Sequence, residues 1–292
     1  FEIKLKSTQL LMGPNGVGKT ALFDLLNSVR RLLSENCRIH DAFPIEDRAR
    51  GLGNESGPMR VEVDLQDFKD NTYSFGMVIE VDTERGLQRI EKEWLDYNGK
   101  PLFSAELGEA QLYRDNHSKG PKFPMDWTLS GVGFLMSNKD NTLLTAFKQR
   151  FERLYVIRIR PEEMADESRS DASRPQQSLE NFADWYRHLS LAMPDKLQKL
   201  ISDLQLRLPG LKRLRFQDAG DGKILYVDYE AGRADEASFR FTRLSDGQKA
   251  LIGLYTILHT LNSKEGVTLC IDEPENYLAL PEIQPWIDEV TE

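Results

Sequence analysis

The chain has 292 residues, with 38 Lys and Arg against 47 Asp and Glu, so its formal charge is −9. A content of 40% hydrophobic and 29% charged residues is typical of a soluble globular protein and excludes a disordered or fibrous chain. No apolar run approaches the roughly 20 residues of a membrane span, the acidic balance excludes a uniformly basic surface for nucleic acid, and two cysteines are too few for a disulfide scaffold. We therefore predict a cytoplasmic protein.

The N-terminal part begins with loosely alternating apolar residues, which predict a strand over residues 1–12. A glycine-rich break follows, and apolar residues at helical spacing then predict a helix over 19–33. The polar residues 35–58 are expected to form a loop. After this loop, short apolar runs separated by turn residues predict an antiparallel meander, with strands at 59–65, 73–81 and 87–95.

The rest of the chain alternates helical and strand-like runs around one very polar segment. Residues 112–127 are rich in turn formers, and a helix over 141–153 and a strand over 154–159 follow. The polar segment 161–177 is predicted to be a linker or a mobile loop. Beyond it we predict helices at 178–192, 194–207 and 246–261, and strands at 211–217, 223–229, 237–242 and 267–271, the last of them fully buried. The aromatic residues of the first of these helices predict a core-facing stripe: Phe182, Trp185 and Leu189.

The segment Gly13-Pro14-Asn15-Gly16-Val17-Gly18-Lys19-Thr20 matches the pattern of a phosphate-binding loop between a predicted strand and a predicted helix. Its glycines allow backbone N–H groups to turn inward, and the helix N-terminus adds unpaired N–H groups and a positive dipole end. We expect all eight residues to bind ATP, with Lys19 at the β- and γ-phosphates and Thr20 on Mg²⁺. The alternative is a glycine-rich turn before a capped helix.

Two carboxylates directly follow the apolar run 267–271. Asp272, at the end of a strand, fits the metal-holding aspartate of P-loop NTPases. Glu273 is a candidate to polarise a water for attack on the γ-phosphate, so we predict that Glu273 and Lys19 are catalytic. Taken alone, an apolar run that ends in Asp-Glu is more typical of a strand capped at the surface.

A third motif, Leu244-Ser245-Asp246-Gly247-Gln248, precedes an apolar helix. Ser245 is a good N-cap residue, and Gly247 permits close backbone approach. A helix N-terminus of this kind can bind a second anion, so Ser245, Gly247 and Gln248 are candidate cofactor-binding residues. The alternative is simply a well-capped helix.

The order of the three motifs resembles the ABC-type ATPases, a branch of the P-loop NTPases. That resemblance implies an α/β fold, an antiparallel β-subdomain, a helical subdomain, and ATP and Mg²⁺ as cofactors. It also implies a head-to-tail dimer, in which Ser245, Gly247 and Gln248 close over a phosphate held by the partner. Asp272-Glu273-Pro274-Glu275-Asn276 and the residues 245–255 look more narrowly like the SMC-like and OLD-like group, including stand-alone bacterial AAA-type ATPases of defence systems.

The resemblance implies one ABC-type ATPase domain over residues 1–292. Its nucleotide-binding core would comprise 1–34 and 237–292, its β-subdomain 59–95, and its helical region 140–210. Because residue 1 is Phe and the chain stops soon after the acidic motif, we expect it to be part of a longer protein, cut at both ends. The family's glutamine loop has no clear counterpart in this sequence, and Gln88 is a candidate on position alone. His259 precedes the acidic motif and is interpreted as a helix residue rather than as the family's switch histidine.

The function implied is an ATP-driven switch that controls a nuclease, toxin or DNA-processing partner in antiviral defence, without a membrane. Alternatives are the nucleotide-binding subunit of an ABC transporter, a scaffold that binds ATP without hydrolysis, or a P-loop kinase. Local basic groups could contact DNA or RNA, although charge runs are usually solvated faces. These groups are Arg30-Arg31, Arg150, Arg153, Arg158, Arg160, Lys212, Arg213 and Arg215.

Overall fold

The computed structural model of the protein describes residues 2–14, 16–45, 57–82, 85–231, 235–262 and 266–291. The chain divides into two compact units. We call Asp24–Leu154 the continuous unit, and Phe1–Phe23 with Tyr155–Glu292 the discontinuous unit. The described residues form a mixed α/β structure with antiparallel sheets and helices. Among them, no helix combines the length and apolar character needed to cross a membrane.

The helices of the described residues are α1 (Lys19–Ser34), α2 (Ile39–Ala42), α3 (Gly131–Phe134), α4 (Thr142–Glu152), α5 (Phe182–Ala192), α6 (Pro194–Arg207), α7 (Asp246–Thr260) and α8 (Leu280–Thr291). The strands are β1 (Met59–Gln66), β2 (Thr72–Asp82), β3 (Leu87–Tyr97), β4 (Lys100–Glu106), β5 (Glu109–Tyr113), β6 (Lys119–Pro124), β7 (Leu154–Ile157), β8 (Glu167–Ser168), β9 (Leu211–Ala219), β10 (Gly222–Ala231), β11 (Asp235–Arg240) and β12 (Thr268–Ile271).

The continuous unit is built on a six-stranded antiparallel sheet whose spatial order is β1-β2-β3-β4-β5-β6. The predicted meander is confirmed as β1, β2 and β3, while the sequence patterns did not predict β4, β5 or β6. β6 lies within the region predicted as turn-rich, and its sequence contains Gly120, Pro121 and Pro124. Such residues are poor strand formers, so this strand depends on its pairing with β5.

Aromatic packing closes one face of this sheet. Phe75 and Met77 of β2 are buried, and the Phe147 ring of α4 lies 5.6 Å from the Phe75 ring and 5.6 Å from the Tyr73 ring, measured between ring centroids. Tilted aromatic contacts at this distance stabilise a core beyond the area that they bury. The predicted helix over 141–153 is thus confirmed as α4, which covers the sheet through Phe147.

A buried carboxylate holds the short helix α3 against the same unit. Glu93 of β3 accepts a hydrogen bond from the Gly131 backbone N–H at 2.7 Å and another from the Ser130 hydroxyl. Ser130 also caps the helix by accepting a hydrogen bond from Gly133 N. Burial raises the pKa of Glu93 to about 7, because the charged carboxylate is poorly solvated, although the hydrogen bonds from Ser130 and Gly131 oppose the shift.

We expect this carboxyl to make stability depend on pH. In the unfolded chain Glu93 ionises near its ordinary pKa of 4.5, whereas in the folded protein it does so near 7. The folded state therefore binds more protons between these values, so the free energy of unfolding should fall as the pH rises from 4.5 to 7, by roughly 3 kcal/mol. Urea denaturation of the wild type and Glu93→Gln at several pH values tests this. The decrease in the free energy of unfolding between pH 4.5 and 7 should become smaller in Glu93→Gln but not in Glu91→Gln. An equal decrease in all three proteins would contradict the prediction.

The core of the discontinuous unit lies between α5, α6, α7 and a four-stranded sheet in which β10 pairs with β8, β9 and β11. The predicted core-facing stripe is confirmed, since Phe182, Trp185 and Leu189 are all buried. The Phe182 ring stacks on Phe241 with a centroid separation of 4.8 Å. The predicted helices and strands of this region are confirmed within a few residues, with α5 beginning later than predicted, at Phe182.

The polar segment 161–177 is not a linker, contrary to the prediction. Its strand β8 pairs with β10, and Asp166 and Ser168 are buried. Asp166 accepts hydrogen bonds from Arg240 at 2.9 and 2.8 Å and also from the Thr242 hydroxyl. Local polarity predicted solvent exposure, but specific partners distant in sequence satisfy these charges.

Two other predictions in this unit were wrong, and one helix was not predicted. Residues 2–12 form no strand, and Leu10 and Met12 are exposed, because none of the described strands pairs with this segment. The run 267–271 is not fully buried: β12 pairs with β7 in a two-stranded sheet and its side chains are exposed or partly buried. The sequence patterns also missed α8, which buries Ile283 and Trp286.

Candidate functional site

The glycine-rich loop leads directly into α1, as predicted. Gly16 and Gly18 have φ values of +83° and +93°, a backbone conformation that residues with a Cβ atom rarely adopt. Neither position has another atom near the site of a Cβ, so the space beside the loop is open. Gly13, Pro14 and Val17 are exposed too, while Asn15 lies outside the described residues. The helix side of the predicted strand–loop–helix context is therefore present, and the strand side is not.

Lys19, the first residue of α1, folds its side chain back over the loop. Its ammonium group donates hydrogen bonds to the carbonyl oxygens of Gly13 at 2.7 Å and Pro14 at 3.1 Å. Among the described residues Lys19 forms no ion pair, and its two hydrogen-bond acceptors are carbonyl oxygens, which carry only a partial negative charge. The side chain thus lies over the loop, held by the loop's own backbone.

Thr20 and Asp272 are brought together. The Thr20 hydroxyl donates a hydrogen bond of 2.9 Å to Asp272 Oδ2, although 252 positions separate the two residues. Asp272 follows β12 directly, is 5% exposed, and donates its own backbone N–H to the Ile157 carbonyl at the end of β7. Strand pairing thus holds the carboxylate beside the first turn of α1.

Arg158 also contacts Asp272, and the sequence patterns did not assign it to this site. Arg158 donates to Asp272 Oδ2 from Nε at 2.9 Å and from Nη2 at 2.8 Å. In the sequence it is one of the local basic groups that could contact nucleic acid or lie on a solvated face. The signal that could have identified it is its position immediately after β7, which matches the position of Asp272 after β12.

Glu273 is exposed and takes an unusual backbone conformation, with φ at +49°. Its carboxylate accepts a hydrogen bond of 2.8 Å from the Asn276 side-chain amide. A left-handed backbone at a residue other than glycine costs free energy of the order of 1 kcal/mol, and such residues are found disproportionately at active sites. Glu273 is thus exposed, whereas its neighbour Asp272 is buried.

The third motif forms a capped helix N-terminus, which was the plainer of its two interpretations. Ser245 Oγ accepts the Gln248 backbone N–H at 3.3 Å, and Gln248 Oε1 accepts the Ser245 backbone N–H at 3.0 Å. This reciprocal capping box stabilises the start of α7. Within the described residues, no hydrogen bond is seen between these side chains and the glycine-rich loop.

The motif does contact the loop that follows Glu273. A Cβ atom at Gly247 would lie 3.0 Å from the Tyr277 carbonyl oxygen, so the two backbones approach closely there. Lys249 is almost fully buried and donates to the Pro161 carbonyl at 3.0 Å and to Asp246 at 3.2 Å. The start of α7 is therefore tied to two loops, one of which also carries Arg158.

The other basic residues are largely paired with acids. Arg30 is bonded to Glu35 at 2.7 Å and Arg160 to Glu163 at 2.8 Å. Arg213 and Arg215 both donate to the buried Asp228 at 2.8 Å. Such pairs reduce the net positive charge that would attract a nucleic-acid backbone. The glutamine-loop candidate Gln88 is also occupied, since it is buried in β3 and donates to the Phe43 carbonyl at 2.9 Å.

The oxygen atoms at the site fit a magnesium ion bound together with a nucleotide. No group of three or more His, Cys, Asp or Glu side chains suited to a metal occurs among the described residues. Mg²⁺ at a P-loop needs fewer protein ligands, because phosphate oxygens and water complete its octahedral shell. Thr20 Oγ1 and the Asp272 carboxylate are hard oxygen ligands, already adjacent at the start of α1.

No known protein-family profile matches the chain, and no curated protein sequence does. The resemblance to ABC-type ATPases therefore depends on the motifs and on the geometry of the residues that they contain.

Proposed function

We propose that the protein is an ATP-hydrolysing enzyme of the ABC type, with a P-loop NTPase fold around its nucleotide. The observation that carries this proposal is the hydrogen bond of 2.9 Å between Thr20 and Asp272. These residues belong to the phosphate-loop motif and the acidic motif, which in P-loop NTPases act on the same metal ion. A chance pair of motifs 252 positions apart has no physical reason to meet at the residues that the chemistry requires.

The loop would bind ATP through its backbone. Gly16 and Gly18 leave the space beside the loop open to phosphate oxygens, and the N-terminus of α1 contributes its unpaired N–H groups. Lys19 exchanges its two carbonyl partners for the more negative oxygens of the β- and γ-phosphates. Thr20 and Asp272 would hold Mg²⁺, which would offset the charge of the phosphates.

Hydrolysis needs a base beside the γ-phosphate. Glu273 accepts a proton from the attacking water while the water oxygen forms a bond to the γ-phosphorus. The bond from that phosphorus to the β–γ bridging oxygen breaks, giving ADP and phosphate. The hydrogen bond from Asn276 orients the Glu273 carboxylate for this role.

The complete enzyme would be a head-to-tail dimer. Ser245 is exposed at the start of α7, where Gly247 and Gln248 are partly exposed, so this helix N-terminus can face a phosphate held by a second copy. Nucleotide binding then drives the association of the two copies, and hydrolysis allows them to separate. Such a switch suits control of a nuclease or another effector protein acting on DNA or RNA, in bacterial antiviral defence, as the motif resemblance implies.

Phosphate release by the purified protein, measured with ATP in the presence and absence of Mg²⁺, tests the proposal. We expect phosphate release to depend on Mg²⁺. Its rate per protein molecule should rise with protein concentration, because the site is completed across a dimer. Lys19→Ala should reduce it to background, whereas Lys6→Ala, an exposed lysine in the preceding segment, should leave it unchanged. If Lys19→Ala still hydrolysed ATP, the assignment would be contradicted. If the wild type bound ATP without hydrolysing it, the protein would instead be a scaffold.

A further inference from the structure

One carboxylate oxygen is the meeting point of three donors. Asp272 Oδ2 accepts from the Thr20 hydroxyl at 2.9 Å, from Arg158 Nε at 2.9 Å and from Arg158 Nη2 at 2.8 Å. Charge-assisted hydrogen bonds of this length are about twice as strong as neutral ones. The Asp272 side chain is 5% exposed and that of Arg158 is 26% exposed, so water screens the pair only in part.

The backbone fixes this geometry. Asp272 N donates to Ile157 O at 2.8 Å, which places the residue after β12 next to the residue after β7. Arg158 is then the first side chain that can reach the carboxylate once β7 ends. Its backbone N–H donates in turn to Gln177 O at 2.8 Å, so the segment that carries it is held on both sides.

A divalent cation and this guanidinium compete for the same place. A metal ion held by both Thr20 Oγ1 and the Asp272 carboxylate would lie next to Oδ2, the carboxylate oxygen that Thr20 already contacts. The Arg158 charge lies within 3 Å of that oxygen, so a metal ion bound there would be close to the guanidinium, and two nearby cations repel each other strongly in a partly desolvated site. The carboxylate therefore has to exchange Arg158 for the metal when the metal binds.

We propose that Arg158 is a positioning residue that holds Asp272 as a cationic substitute for Mg²⁺ and is displaced when Mg²⁺ binds with nucleotide. The proposal rests on the proposed function, because it assigns Mg²⁺ to Thr20 and Asp272. In the metal-free protein, Arg158 balances a buried charge that would otherwise be unpaired. It thereby raises the Mg²⁺ concentration needed to load the site.

The test measures binding rather than turnover. Fluorescence anisotropy of a methylanthraniloyl derivative of ATP is followed while Mg²⁺ is titrated into the wild type, Arg158→Gln, Arg158→Lys and Arg160→Gln. Loss of the charge-assisted bond should lower the Mg²⁺ concentration at half-saturation about 10-fold in Arg158→Gln. Arg158→Lys keeps the charge but loses the second bond, so its Mg²⁺ concentration at half-saturation should lie between those of Arg158→Gln and the wild type. Arg160→Gln, which loses an exposed pair with Glu163, should match the wild type.

The two proposals fail in different ways. If the wild type does not bind the nucleotide at any Mg²⁺ concentration, the proposed function fails. If it binds and Arg158→Gln needs the same or more Mg²⁺, the function stands and the role of Arg158 is overturned. A purely structural arginine would lower the melting temperature of the variant without a gain in Mg²⁺ affinity. Should Arg158→Gln not fold, unchanged half-saturation in Arg158→Lys overturns the inference.

Discussion

Replacing Glu273 by glutamine is expected to lower the rate of ATP hydrolysis by about 10²- to 10⁴-fold, the usual contribution of a general base. Glutamine has nearly the same shape and can still accept the hydrogen bond from the Asn276 amide. It cannot accept a proton from water at neutral pH. Nucleotide affinity should therefore be retained, because among the described residues Glu273 forms no hydrogen bond or ion pair with the loop or with α1.

The same variant should accumulate as an ATP-bound dimer, since hydrolysis is what releases the two copies. Size-exclusion chromatography coupled to light scattering, with ATP and Mg²⁺, measures this directly. Glu275→Gln is the matched control, because it removes an exposed carboxylate two residues away. Wild-type turnover in Glu273→Gln would remove this residue from the mechanism, and a loss of equal size in Glu275→Gln would show that the effect is not specific.

The largest effect on stability is expected from Trp286→Ala. Trp286 is 4% exposed, and its indole N–H donates to the Leu254 carbonyl of α7 at 3.0 Å. Truncation of a buried aromatic side chain leaves a cavity and typically costs about 3–5 kcal/mol. Because this contact joins α8 to α7, the helix that begins at the third motif, we expect the loss to appear as a lower midpoint of urea denaturation.

Two variants separate packing from hydrogen bonding at this position. Trp286→Phe keeps most of the buried ring and should lose about 1 kcal/mol, the usual net value of one hydrogen bond. Ile287→Ala changes the next residue, which is 36% exposed, and should lose less than Trp286→Ala. A loss in Trp286→Ala no greater than in Ile287→Ala would mean that α8 does not support α7.

Elements with a strong local pattern were predictable. The helix after the glycine-rich loop, the meander of β1, β2 and β3, and α7 were all placed correctly within a few residues, because their apolar periodicity matches the faces they bury. The residues of the three motifs could also be identified from the sequence. Each motif is contiguous, so its chemistry is visible without knowing what lies beside it.

Elements that depend on distant partners were not predictable. Residues 2–12 alternate like a strand, yet alternation supplies no neighbouring strand to accept their hydrogen bonds. The segment 161–177 looks like a linker, yet Arg240 and Thr242 satisfy its buried Asp166. Local propensity is worth a fraction of a kcal/mol per residue, which pairing and burial easily exceed.

The candidate site shows both limits at once. The available chemical groups can be named from the residues alone: glycines in a loop, a lysine and a threonine at the start of a helix, and two carboxylates after a strand. The contact between Thr20 and Asp272, and the position of Arg158 on the same oxygen, become visible only once the chain is folded. Those contacts depend on the pairing of β7 with β12, and no local pattern encodes which strands will pair.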